Sequence, residues 1–290
     1  METTPKVTGH FSSFDGTSIY YEIRGEGEPL ILVYGIACLM NHWHHQIEFF
    51  SKKYQVITFD LRGHQKSNPV VNLSELTMDS LSQDLLGLMD HLKIKKAHAM
   101  GHSFGVPILI NSYRLQPERF KSFTFINGFA KNPIKGMFGL DVVEPFYRFV
   151  RQQYKTQPDL WNSLWKVAID NPMSMTIAAL AGGFNLRLTQ FKDIEVYMRG
   201  VARLNLQVFL DLFESLMNYD GEVTLPDMKI PTLVLSGERD MVTPLKFQTH
   251  MKDLIPNSEF VLVPYGSHCT QLDFPEYTNL KLEKFLEEKS

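Results

Sequence analysis

At 290 residues, 44% hydrophobic and 21% charged, the chain is long enough to bury a substantial core and has an ordinary globular composition. A formal net charge of −3 and a pI near 6.4 exclude the basic footprint of a nucleic-acid-binding protein, so no nucleic-acid partner is expected. The longest apolar run, residues 29–40, is too short to span a bilayer, and residues 1–10 lack the apolar centre of a signal peptide; the expectation is a soluble, cytoplasmic protein without stable membrane insertion.

Short apolar runs alternate with longer amphipathic ones through the first half, the pattern of a parallel sheet covered by helices. Residues 19–23 alternate like an edge strand after a turn at Asp15-Gly16. Residues 30–33 are continuously apolar, as a strand buried on both faces must be. Strands follow at 55–59, 97–100 and 123–126. Residues 78–92 have apolar side chains at helical spacing (Leu81, Leu85, Leu88, Met89, Leu92), with Asp84 and Asp90 on the other face. A second helix covers 106–115 and ends before Pro117.

The pattern changes from about residue 131. Up to about 222 only helical runs rich in aromatic, Met and Leu residues occur, punctuated by Pro133, Pro145, Pro158, Pro172 and Gly182-Gly183. Alternation then resumes with strands at 232–236 and 259–263 and helices at 245–254 and 275–288. The expected architecture is α/β, a mostly parallel central sheet flanked by helices, with an inserted helical cap: core 1–130, cap 131–224, core 225–290.

Gly101-His102-Ser103-Phe104-Gly105 fits G-x-S-x-G and lies between a predicted strand and a predicted helix. A serine on so tight a turn needs small residues two before and two after it, and Gly101 and Gly105 supply them. Serine is a weak nucleophile unless a base held by a third group removes its proton. Downstream, Asp240 follows the strand at 232–236, with Glu238 a distant second choice, and His268 follows the last strand. Catalytic roles are therefore expected for Ser103, Asp240 and His268. The oxyanion hole needs two backbone N–H groups. One is expected from Phe104, directly after the nucleophile, and one from Ile36, in the loop that Gly35 frees after the strand at 30–33.

These segments resemble the lid-bearing α/β-hydrolase superfamily. Residues 30–35 look like its oxyanion strand and loop, and Asp60-Leu61-Arg62-Gly63-His64 to Ser67 resembles its D-x-R-G-x-G-x-S segment. Gly101 to Gly105, Gln116-Pro117-Glu118-Arg119, Asp240 to Pro244, and Gly266 to His268 with Asp273 to Glu276 behind follow in the family's order. The resemblance implies a Ser-His-Asp hydrolase that needs no cofactor and acts on a small molecule. Three departures stand out. Tyr34 replaces a common histidine, Gln65 replaces a glycine so that its loop is expected to turn differently, and Val106 replaces a second glycine.

The segment Asn41-His42-Trp43-His44-His45 begins a helix, and no carboxylate follows at ligand spacing, so no metal is expected there. Cys38 and Cys269 read as two buried free thiols. Among cap aromatics and methionines (Phe138, Phe146, Tyr147, Trp161, Trp165, Met173, Met175, Phe184, Phe209, Phe213), some line an apolar pocket. Trp43, Phe138, Phe146 and Trp165 are the expected substrate contacts. The expected reaction is ester cleavage through an acyl-enzyme. Lactone opening, perhydrolysis or hydrolysis of a carbon–carbon bond are alternatives on the same triad, and a ligand-sensing receptor with little turnover is the alternative from another class.

Overall fold

The continuous apolar runs form the middle of an eight-stranded sheet in the order β1-β2-β4-β3-β5-β6-β7-β8. The computed structural model describes residues 5–139, 141–169, 171, 173–174, 176–177 and 183–289. The strands are β1 Lys6–Ser12, β2 Ser18–Arg24, β3 Glu28–Val33, β4 Tyr54–Phe59, β5 Ala97–His102, β6 Phe120–Ile126, β7 Thr232–Gly237 and β8 Ser258–Val263. From β4 across to β8 every pairing is parallel, whereas β2 runs antiparallel to both of its neighbours. Every residue of β5 and β7 is buried, which is why these strands carry no polar alternation.

Residues 19–23 are not an edge strand. β1 pairs with β2 along its whole length and is itself the edge. It escaped the sequence pattern because six of its seven residues are not buried, leaving no alternation to read.

The helices are α1 His44–Phe50, α2 Met78–His91, α3 Gly105–Leu115, α4 Val143–Thr156, α5 Pro158–Ile169, α6 Phe191–Arg203, α7 Leu206–Asn218, α8 Leu245–Leu254, α9 Thr270–Asp273 and α10 Pro275–Lys289. Thr77 caps α2 by accepting from the Ser80 N–H, and the buried face of α2 packs against α3. Asp84 is not on a solvent face of α2. It is 1% exposed and grips the fully buried Arg62, Nε to Oδ2 and Nη2 to Oδ1, both at 2.7 Å. A buried carboxylate survives only where such a partner meets it, and helical periodicity cannot reveal that partner.

The helices α4–α7 all fall between β6 and β7 and have a small core of their own, in which Tyr147, Val150, Tyr154, Leu206 and Leu210 meet Trp161, Trp165 and Phe209. Asn205 caps α7 by accepting from the Gln207 N–H. A second cluster, Phe184, Ile194, Met198, Cys269 and Leu272, joins this segment to the loop after β8. The chain leaves and re-enters the sheet at one place: Lys131 and Asp220 form an isolated bridge, and the Gly221 N–H donates to Ala130 O at 2.8 Å. Pro172, Met175 and Gly182 lie outside the described residues.

Candidate active site

Strand order reverses at β3: β4 lies on one side of it and β5 on the other. In open α/β sheets the crevice beyond the carboxyl ends of two such strands is where ligands bind. Here Val33 and Gly101 are register partners, so the loop of Tyr34 and Gly35 emerges beside the turn of Ser103.

Ser103 has φ 53°, in the left-handed region that non-glycine residues rarely adopt. Its neighbours explain how the turn closes. A Cβ on Gly105 would lie 2.2 Å from Val33 O, and one on Gly101 would lie 2.9 Å from the Gly105 backbone. Gly35 is pressed against the serine, where a Cβ would sit 3.0 Å from Ser103 Cβ and 3.4 Å from its Oγ. Val106 fills the space left by Gly128, whose Cβ would fall 2.3 Å from Val106 Cγ2.

His268 and Asp240 are 4% exposed each, with Nδ1 donating to Oδ2 over 2.9 Å. Asp240 is held on both oxygens. Its Oδ1 accepts from the Val242 and Thr243 N–H groups at 2.9 and 2.8 Å, and its Oδ2 also meets Thr243 Oγ1 at 2.7 Å. Glu238 is exposed and accepts from the Tyr265 N–H. The loop bearing His268 is fastened from below. Asn127, at the end of β6, donates from Nδ2 to Ser267 O and His268 O at 3.0 and 2.6 Å, while its Oδ1 accepts from the Gly237 N–H. The same His268 carbonyl lies 2.9 Å from His102 Nε2; because a carbonyl can only accept, His102 carries its proton there. Burial, and then the neighbouring charges of His42 and His268, hold His102 well below the usual histidine range, so it stays neutral.

In the loop after β3, Ala37 has φ 63° and its N–H donates to His64 Nε2 at 3.0 Å. The Ile36 and Phe104 amides donate to no protein group among the described residues, which leaves them free for a ligand. Burial lowers His64 to about 4, keeping the acceptor nitrogen unprotonated. Tyr34, in place of the common histidine, donates to Asp60 Oδ1 at 3.2 Å and accepts from the Leu61 N–H at 2.9 Å. Burial pushes Asp60 up to about 6. Gln65 has a positive φ of 38° and donates from its side chain to Gly200 O. The strain of a glycine conformation is carried by a glutamine.

The aromatic residues expected at the substrate separate. Trp43 is 0% exposed, enclosed edge-on against His42 and His102. Phe138 is half-buried, its N–H donating to Met241 O beside Asp240. Phe146 is 66% exposed on α4. Trp165 packs at a tilt against Phe209 inside the α4–α7 segment. Cys38 and Cys269 are free and buried. Burial pushes Cys38 up to about 12 and Cys269 well above the usual thiol range, so both remain protonated and unreactive. Sequence reasoning passed over Asn127, Thr243 and His64. Only Thr243 had a local signal, three residues after an acid whose oxygen can accept from the N–H groups two and three residues on.

A family model described as "alpha/beta hydrolase fold" matches residues 28–275. RutD of Azorhizobium caulinodans, whose name marks it as a provisional carbamate hydrolase, is 24% identical over 276 residues, covering 92% of this chain and 94% of that protein. "3-oxoadipate enol-lactonase 1" of Acinetobacter baylyi is 24% identical, covering 90% of each chain. A thermophilic esterase from Thermogutta terrifontis has a similar structure, with TM-score 0.75 and 21% identity over 97% of this chain and 98% of the other.

Proposed function

From the premise that this chain belongs to the α/β hydrolase fold family, we propose that it is a serine hydrolase cleaving an ester-like bond of a small, hydrophobic substrate through an acyl-enzyme. Ser103 Oγ attacks the carbonyl while His268 Nε2 takes its proton, and Asp240 holds the imidazole in the tautomer that leaves Nε2 free. The Ile36 and Phe104 amides receive the oxyanion. The protonated His268 then gives its proton to the leaving group, and water cleaves the acyl-enzyme by the same route. What supports this reading is the strained Ser103, φ 53°, together with the buried His268–Asp240 pair, whose imidazole lies 4.8 Å between centroids from that of His102, the residue before the serine.

The α4–α7 segment acts in this reading as a cap, supported by its own core and by the meeting of its ends at Lys131 and Asp220. Phe138 contributes to the apolar wall of the site. Lactone opening is the second reading, favoured by the enol-lactonase among the relatives.

The test is hydrolysis of p-nitrophenyl esters, acetate through dodecanoate, by the wild-type protein and by Ser103→Ala. Turnover that depends on Ser103 and peaks at one acyl length supports the proposal. Equal inactivity of both proteins on esters, with Ser103-dependent opening of lactones, would replace it by the second reading. Equal inactivity on both substrate classes would overturn it.

A further inference from the structure

Along the chain, the carboxylate nearest the histidines at 42, 44 and 45 is Glu48, one turn after His44 on α1. Folding brings a second from the helical insertion. Asp193, in the first turn of α6, brings Oδ1 to 3.4 Å from His44 Nε2 and Oδ2 to 3.4 Å from His45 Nε2. Both separations exceed the usual hydrogen-bond range of about 2.7–3.2 Å. His45 Nε2 and Asp193 Oδ2 are buried atoms with no hydrogen-bond partner. One ligand atom from each of the three residues lies within 4.8 Å of the others, and modest side-chain rotation brings them to the edge of about 3.4 Å of a tetrahedron with metal bonds of about 2.0–2.2 Å.

The proton on His44 points the same way. Its Nδ1 lies 2.9 Å from Asn41 O, and a carbonyl only accepts, so Nδ1 carries the proton and Nε2 turns a lone pair toward Asp193 in the neutral ring. A lone pair facing a carboxylate is repulsive until a proton or a metal ion lies between them, and a backbone carbonyl behind the other nitrogen is the support a metal-bound imidazole has. A cavity of about 10 Å³ adjoins, lined in part by Asn41, His44 and Asp193. That is roughly the space one water needs.

We propose that His44, His45 and Asp193 bind one zinc ion, with water as the fourth ligand. The ion staples α6 of the insertion to the start of α1. Two imidazoles and one carboxylate suit zinc better than magnesium or calcium, which favour all-oxygen shells. The inference does not depend on the hydrolase reaction.

Zinc titrated into the chelator-stripped full chain, followed by calorimetry and thermal melting, is expected to bind one ion per chain and raise Tm, while magnesium does neither. Asp193→Asn and His45→Gln are each expected to weaken zinc by about 100-fold or more and to lose the rise in Tm. Their metal-free melting curves, compared with wild type, separate ligand loss from misfolding. His42, His102 and Cys269 form a second, wholly buried set of possible ligands, so cobalt is used to tell the two apart. The expected spectrum is tetrahedral without a thiolate charge-transfer band and is kept in Cys269→Ser. Failure of zinc to bind the wild type, unchanged affinity in folded Asp193→Asn, or loss of binding in Cys269→Ser would each overturn the proposal.

Discussion

Replacing Asp240 by asparagine changes one heavy atom, and the surroundings dictate which one. If the new NH2 took the place of Oδ1 it would face the Val242 and Thr243 N–H groups, leaving two buried donors opposed. At about 1–3 kcal/mol for each unsatisfied donor, that orientation is disfavoured by roughly 2–6 kcal/mol. The NH2 therefore takes the place of Oδ2, facing His268 Nδ1 and Thr243 Oγ1. The hydroxyl can accept, and the imidazole can accept by shifting its proton to Nε2. One hydrogen bond replaces another, so stability changes by only about 1 kcal/mol. The shifted proton, however, occupies the nitrogen that must receive the proton of Ser103. The expected result for Asp240→Asn is a kcat lower by about 10³–10⁴-fold on the preferred ester, with a urea midpoint near wild type. Glu238→Gln is the control, since the exposed Glu238 bonds the Tyr265 backbone, and it should stay close to wild-type kcat. A folded Asp240→Asn with kcat within about tenfold of wild type would refute the assignment of Asp240 as the residue that sets the tautomer.

Three further outcomes follow from the same geometry. Gly35→Ala places a methyl 3.0 Å from Ser103 Cβ; displacing the nucleophile by a few tenths of an ångström or more should lower kcat by up to about 100-fold while the urea midpoint changes little. Asp84→Ala removes both 2.7 Å bonds to the fully buried Arg62 guanidinium, leaving it only Asp15 and Glu75 O, and should cost up to about 3–5 kcal/mol in urea unfolding, with Asp90→Ala, which loses only an exposed ion pair to Arg119, near neutral. For His64, burial lowers the ring from its ordinary 6.5 to about 4, so between those values the unfolded chain binds the extra proton. Its contribution is complete above pH 6.5 and lost as the pH falls toward 4, about 3 kcal/mol in all. Asp60, raised to about 6 by burial, works in the opposite direction over nearly the same window, so the wild-type curve alone conceals both. The informative measurement is the stability difference between wild type and His64→Gln, which should shrink by about 3 kcal/mol from pH 7 to pH 4. A difference independent of pH would show that His64 is not held neutral.

Strands buried on both faces and helices with one apolar stripe write their period into the chain, so β3 to β7 and the flanking helices were legible from residue order alone. The G-x-S-x-G turn was legible for the same kind of reason: the space for Gly101 and Gly105 is set within a few residues of Ser103. Where a side chain's fate depends on a distant partner, residue order carried no such mark. Asp84 looked solvent-facing until Arg62 was placed beside it, and β1 was invisible until β2 paired with it. Asn127 became a fastening for the His268 loop only because β6 and β7 end side by side, and Asp193 met His44 and His45 only because α6 folds back onto α1. Local sterics and burial period are properties of neighbouring residues, and the sequence by itself determined the inner strands, the main helices and the turn at Ser103. Hydrogen bonds and ion pairs between residues far apart in the chain exist only once the backbone has closed, and the tertiary structure alone decided which polar groups surround that turn.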